Sequence, residues 1–454
     1  MDRRDFLKTM ALAAGAVALQ PTEALAMMEE PTEGNSNRRK SDEPLINSKP
    51  MLQNYAETSM GIAFSVSDLA NGFVVYGKQP DLSDGRKVWC GGYRVTDMNQ
   101  DVMLVRLTGL QPATTYYYRI GADRIHYGGG YDMKVLETVE DDTIYCFTTA
   151  GKDAKGHFCV INDTHARWNA FGLVTDKVAE LQPACVIWNG DASNAEETIE
   201  DQKRIFLYPP VSRQDYASRI PYLFTPGNHD SRGRANRHLE RVWMYRQPEE
   251  RKSRDWDLGR NFAVRMGDIA LIGLDTAEDK LDTNPLFANL FNSHAYREAQ
   301  VAWLADALKR PEIRKAPFKV ALCHIPLYDA NPKANPGDVA PADKAPQYTH
   351  DFAIWQRTCK NLWSPLLEKA GCQLLVTAHE HAFRIDEPNE EHAWTQIVGG
   401  GPDTDKKDRH HFPTVIEGEV QNGKLRIRVH DVLHEEVVAE LTFDKNRQHT
   451  QKPR

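Results

Sequence analysis

The sequence has no apolar run long enough to cross a bilayer, few cysteines and no surplus of positive charge, and each shortage removes a class of function. No stretch reaches the ~18 to 20 apolar residues that a membrane-spanning helix requires, and the N-terminal run Met10–Leu19 is shorter still. Seven cysteines in 454 residues, odd in number and irregularly spaced, do not make a disulfide framework. Cys159, Cys185, Cys323 and Cys372 stand in apolar runs that read as strands, where buried thiols are expected, while Cys90 and Cys146 share one region and are the pair that could bond. The formal net charge of −8 argues against coating nucleic acid, which needs a clustered positive field. There is no low-complexity composition and no internal repeat; 41% hydrophobic and 26% charged residues are the proportions of ordinary globular domains.

The length fits two globular units and a short extra segment. At the N-terminus, Arg3-Arg4-Asp5-Phe6-Leu7-Lys8, the weakly apolar run after it and Ala24-Leu25-Ala26 have the basic, apolar and small-x-small parts of a secretory signal. Residues 1–26 resemble a twin-arginine export signal, with Asp2 where Ser or Thr is commoner. The resemblance implies the twin-arginine export machinery as a partner, a periplasmic or secreted location and no transmembrane anchor. Residues 27–49 are polar, Pro-containing and aperiodic, and read as a flexible linker.

From 50 to 150 short strands are expected at Gly61–Val66, Gly72–Tyr76, Val102–Leu107, Tyr116–Ile120 and Ile144–Thr148, the spacing of a small β-sandwich. The run Leu107-Thr-Gly-Leu-Gln-Pro-Ala-Thr-Thr-Tyr-Tyr-Tyr-Arg119, with Phe147-Thr-Thr149 after it, resembles a fibronectin type III-like domain. From 155 to 445 apolar strands alternate with helical stretches, as an α/β domain requires. Strands are expected at Phe158–Ile161, Ala184–Trp188, Tyr222–Thr225, Ile269–Leu274, Phe318–Cys323 and Leu374–Thr377, and helices at Leu173–Leu181 and Arg297–Lys309. Asn422-Gly423, between Thr414–Val420 and Leu425–Val429, signals a hairpin.

Ligands in open α/β sheets bind beyond the carboxyl ends of the strands. There the sequence places Asp163-Thr-His165, Gly190-Asp191, Gly227-Asn-His-Asp230, His324-Ile-Pro326 and His379-Glu-His381. Each alone is weak, since a Gly-Asp pair or a lone Asp-x-His is usually a turn. Five in succession send carboxylate, imidazole and amide oxygen to one sheet edge. That donor set suits Fe, Mn, Zn or Co, and the absence of thiolate argues against a structural zinc site.

The series Asp-x-His, Gly-Asp, Gly-Asn-His-Asp, His-x-Pro and x-His-x-His, over residues 158–384, resembles the calcineurin-like metallophosphoesterase superfamily. Together with the fibronectin-like segment it is similar to the two-domain layout of purple acid phosphatases. The resemblance implies a four-layer α/β/β/α sandwich behind a small β-sandwich, with two metal ions, Fe, Mn or Zn, that activate a water to attack a phosphate ester. By the same likeness Asp163, His165 and His381 hold one ion, Asn228, His324 and His379 the other, Asp191 bridges both, and His229 is the catalytic acid. Arg232, Arg234 and Arg384 follow these motifs and are candidate phosphate clamps. Two positions depart from the pattern. Ala378 replaces the usual Gly before His-x-His, and Asn194 stands where purple acid phosphatases carry a tyrosine ligand, so an iron-loaded form should lack their visible colour. The expected activity is hydrolysis of small-molecule or exposed phosphate esters, phosphomonoesters first. The alternatives are a phosphodiesterase acting on glycerophosphodiesters or nucleotides, and a non-catalytic adhesion module.

Overall fold

The structure is a computed structural model and describes residues 43–91, 101–212, 216–245, 258–288, 290–329, 347–405, 410–445 and 449–451. Its centre is a pair of sheets. β9 (His157–Ile161), β10 (Cys185–Asn189) and β11 (Tyr222–Thr225) run parallel to one another. In the facing sheet β13 (Ile269–Leu274), β14 (Phe318–Cys323), β15 (Leu374–Thr377) and β17 (Thr395–Val398) are parallel, with β12 (Phe262–Met266) and β16 (Arg384–Asp386) antiparallel at the two edges.

These strands are apolar throughout because both faces are covered. Along β9, Phe158 and Val160 join the core between the sheets, whereas Cys159 and Ile161 face the helices Trp168–Leu181 and Ile199–Phe206. In β13, Leu271 points inward, and Ala270 and Ile272 meet the helices Ser293–Lys309 and Gln347–Ala370. The layers are therefore helix, sheet, sheet, helix, the expected sandwich. β18 (Thr414–Gln421) and β19 (Lys424–Asp431) extend the first sheet beside β9, and the turn between them has left-handed Asn422 (φ 53°) and Gly423 (φ 74°). β20 (Glu436–Phe443) and β21 (His449–Gln451) complete that side.

The N-terminal region is β-rich, as its strand pattern requires, but one of its sheets is not separate. β1 (Met51–Gln53), β2 (Ser59–Ser65) and β5 (Val102–Thr108) continue the sheet of β9–β11, with β1 parallel to β11 through the pair Gln53↔Tyr222. The result is one ten-stranded sheet. β3 (Ala70–Gly77), β4 (Arg86–Trp89), β6 (Thr115–Gly129), β7 (Asp132–Glu140) and β8 (Tyr145–Thr148) form the other layer of the sandwich. Ile62, Tyr118 and Phe147 belong to the same apolar core as Val160 and Leu322, and the Tyr118 hydroxyl donates to the Ser218 carbonyl (2.7 Å). By compactness 43–125 and 135–454 are one unit, so the change of sequence pattern near 150 does not separate two bodies; 126–134 group apart.

The export signal lies outside the described residues, and no helix of the described residues is long and apolar enough to cross a membrane. Of the expected linker, 27–42 also lies outside. The rest departs from the expectation: Leu45 is buried, Ile46 bridges Val66, and Asn47 donates its backbone N–H to Ser65. None of the seven cysteines is in a disulfide. The Cys90 thiol faces Asn71 Oδ1 (3.3 Å) and that of Cys146 faces Arg219 (3.5 Å), so the pair considered from sequence is not bonded.

Candidate metal centre

The loops after five strands meet where the two sheets abut. Asn189, the last residue of β10, reaches across to the other sheet and donates its side-chain amide to the carbonyls of Cys323 (3.1 Å) and Val376 (3.3 Å). The loops after β9 and β10 are laced together by backbone bonds from Asp163 to Gly190, from His165 to Asp191 and from Ala166 to Ala192. This lacing holds an unusual backbone. Asp163, His165, Asp191, His379 and His381 all have left-handed φ, between 45° and 72°. Side chains rarely adopt that region, at a cost of about 1 kcal/mol or more each. Ala378 is not among them, so its methyl group adds no backbone strain. Gly190, with φ 83°, is a necessity: a Cβ there would stand 2.2 Å from His324 Nδ1.

Two clusters of ligand atoms result. Asp163, His165, Asp191 and His381 bring theirs within 4.8 Å of one another, and so do Asp191, His324 and His379, which makes Asp191 common to both. Asn228 Oδ1 lies 3.0 Å from His379 Nδ1 and joins the second cluster. Asp191 Oδ2 is 3.4 Å from His165 Nε2 and 3.2 Å from His324 Nε2. All seven side chains expected from the sequence are therefore gathered at one place.

The surroundings set the tautomers. His165 Nδ1 meets Asn194 Oδ1 (2.9 Å) and His324 Nδ1 meets the Asn189 carbonyl (2.9 Å). Both partners accept, so each Nδ1 carries a proton and Nε2 is the ring atom turned inward. His165 Nε2 then stands 2.9 Å from His381 Nε2. Asp163 Oδ1, buried, has no hydrogen-bond partner among the described residues, and His324 Nε2 faces the carboxylates of Asp191 (3.2 Å) and Asp163 (3.7 Å). Burial works to raise the Asp191 carboxyl, yet His324, then His165 and His229, hold it well below the usual range. Burial lowers His324, but Asp191 and Asp163 outweigh it and push the imidazole up to about 10. Buried carboxylates that draw a proton onto the imidazole between them favour positive charge, which metal ions could supply. The donor set fits such ions.

The family model of the calcineurin-like phosphoesterases matches residues 156–383, from β9 to just past His381. The chain belongs to the calcineurin-like phosphoesterase family. Among solved structures this phosphoesterase is similar to PhoD (12% identity, TM-score 0.59, covering 89% of this chain and 91% of that one). It is also similar to a purple acid phosphatase from yellow lupin (Lupinus luteus) seeds (13% identity, TM-score 0.59, covering 89% and 76%). At such identities the likeness concerns the fold. Among curated proteins no match is found.

Around the centre of the phosphoesterase, His229 sets its ring edge-on to that of His165 (4.9 Å between centroids) and donates its backbone N–H to Asp191 Oδ1 (2.9 Å). Burial lowers its imidazole to about 4, against the pull of Asp191. Asp230 does not touch that ring; its carboxylate accepts from Ser193 and from the Gly227 N–H, tying two loops together. The three arginines differ. Arg232 binds Glu278, Asp279 and His229, and Arg384 binds Asp386, Glu380 and the Tyr328 carbonyl. Arg234 is 86% exposed, with Glu197 at 3.7 Å. Arg232 and Arg384 would have to leave carboxylates to clamp a phosphate, and Arg234 points to solvent. Tyr328 packs on His392 (4.4 Å).

Sequence reasoning missed the end of β13, where Glu278 and Asp279 are almost wholly buried. Asp279 Oδ2 is 3.7 Å from His379 Nε2, which leaves Nδ1 of that ring beside Asn228. Burial lowers His379 to about 4, with Asp279 opposing. The available signal was position: Asp275-Thr-Ala-Glu-Asp279 follows an apolar strand just as the five recognised motifs do.

Proposed function

We propose that this chain is an exported phosphoric ester hydrolase whose first substrates are phosphomonoesters. The convergence of seven side chains, with the buried Asp163 Oδ1 left without a hydrogen-bond partner among the described residues, carries the reading. Asp163, His165 and His381 would hold one ion and Asn228, His324 and His379 a second, with Asp191 touching both; Fe, Mn and Zn all suit the donors. When bound, a pair of ions would polarise phosphate oxygens and lower the pKa of the attacking water. His229 donates its backbone N–H to Asp191 and is placed to serve the leaving alkoxide as proton donor. The N-terminal segment would route the folded protein through the twin-arginine machinery to the periplasm or beyond.

The experiment compares p-nitrophenyl phosphate with bis(p-nitrophenyl) phosphate on metal-reconstituted protein. The monoester should turn over faster, and Asp191→Asn should cut turnover by on the order of 100-fold or more together with metal content. A faster diester reverses the substrate assignment. Two full equivalents of metal in Asp191→Asn removes that residue from the centre.

A further inference from the structure

The segment after β13 is held from behind. Arg297, buried on the helix Ser293–Lys309 with its guanidinium 5.2 Å from the Trp355 ring, donates to the carbonyls of Thr276 (3.2 Å) and Glu278. Gln300 brackets Asp275, accepting from its N–H (3.1 Å) and donating to its carbonyl (2.7 Å). With the backbone fixed at both points, the Glu278 carboxylate, 1% exposed, faces Arg232. It accepts from Nε (3.0 Å) and from Nη2 (2.6 Å), the two-point fork that only a guanidinium makes, and Nη2 also reaches Asp279 Oδ1 (2.9 Å). Two of the three guanidinium nitrogens are thereby committed. The third, Nη1, lies 3.0 Å from His229 Nε2.

A guanidinium cannot accept, so His229 Nε2 must, and the ring is fixed with its proton on Nδ1. We propose that Glu278 is a positioning residue for His229, acting through Arg232: it aims one N–H at the histidine and so sets the ring's tautomer and orientation. The role rests on reading His229 as the group that serves the leaving oxygen: with Nε2 held by Arg232, it is the Nδ1–H that the ring offers that oxygen as it gains charge. Without the fork, Arg232 is free to turn toward Asp191 and the incoming phosphate, and His229 loses the contact that orients its side chain. A lysine offers a single charged point and would not restore the arrangement.

Two measurements test this. The first is the imidazole 15N spectrum of metal-free protein, with His229→Gln to assign the signal. The native protein should show His229 with a bare Nε2 and a protonated Nδ1, and Glu278→Gln should lose that single-tautomer signature. The second is a double-mutant cycle on metal-loaded enzyme using phenyl and p-nitrophenyl phosphate. Glu278→Gln should keep its metal and its KM, and should lower kcat for the phenyl ester about 10- to 100-fold but little for the p-nitrophenyl ester. In the His229→Ala background the same change should cost nothing more. Arg232→Lys should match Glu278→Gln in both measurements and serves if the buried substitution prevents folding. Additive losses with an unchanged 15N signature would overturn the proposal. Equal losses on both esters in His229→Ala would instead defeat the proton-donor reading, and the 15N signature would still decide whether Glu278 sets the ring.

Discussion

Asn194 occupies the place where the purple acid phosphatase pattern has a tyrosine, and its amide holds His165 at two points, accepting from Nδ1 and donating to the His165 carbonyl (2.9 Å each). Such a contact fixes a ligand ring rather than binding metal, and removing it usually weakens metal binding about 10- to 100-fold. Asn194→Ala should therefore fold normally but give up metal to a chelator more readily by that factor, measured by competition titration; native affinity would mean the left-handed backbone alone orients His165. The residues of the cluster could be picked out in the sequence because carboxylates and imidazoles at strand ends stand out against apolar runs. Glu278 and Asp279 could not. In a polar stretch they look like surface charges, and their burial depends on Arg297 and Trp355, far along the chain on helices whose inner faces had to be seen. The left-handed φ of five ligand residues was equally hidden, since none of them is glycine.

Strands were legible for the same reason that their partners were not. The apolar run at 61–66 overlaps β2 to within one residue, and those at 102–107 and 318–323 fall inside β5 and β14, but no local signal tells a strand which sheet it joins. β1 is three residues long, and its pairing with β11 carries β2 and β5 into the catalytic sheet. A fragment starting at residue 152 would strip the β11 edge and uncover a core to which Leu52, Ile62, Phe64, Val105 and Leu107 contribute. Five such side chains at roughly 1.5–3 kcal/mol each approach the whole stability of an ordinary domain. That fragment should be insoluble or lack a cooperative melt, judged by near-ultraviolet circular dichroism and thermal scanning. A sharp transition with metal bound would show that the β-sandwich is dispensable.

Across the whole molecule, Glu417 on β18 ties together its two neighbouring strands, β9 and β19, which lie far apart in the sequence. It accepts from His157 on β9 (2.9 Å), from His430 on β19 (2.8 Å) and from Arg428 (2.7 Å), and it is 2% exposed. Burial works to raise its carboxyl, but His157, His430 and Arg428 hold it far below the ordinary range. A depressed carboxyl contributes stability above its unfolded pKa and loses it as pH falls toward the folded one. Glu417→Gln should cost about 3–5 kcal/mol at pH 7, and the gap to the native protein should narrow as pH falls below about 4, followed by urea denaturation. A gap independent of pH would show that the charge is immaterial. The bond from His157 to Glu417 spans 260 residues, and that from the His379 N–H to Asp163 spans 216. Synthesis proceeds at roughly 5–20 residues per second. For ten seconds or more after Asp163 leaves the ribosome, the chain therefore holds an incomplete cluster and a central strand, β9, that is paired to β10 but open on its β18 edge. Neither the sheet nor the cluster can close before the C-terminal third emerges, so a metal ion would find all of its proposed ligands only late in synthesis.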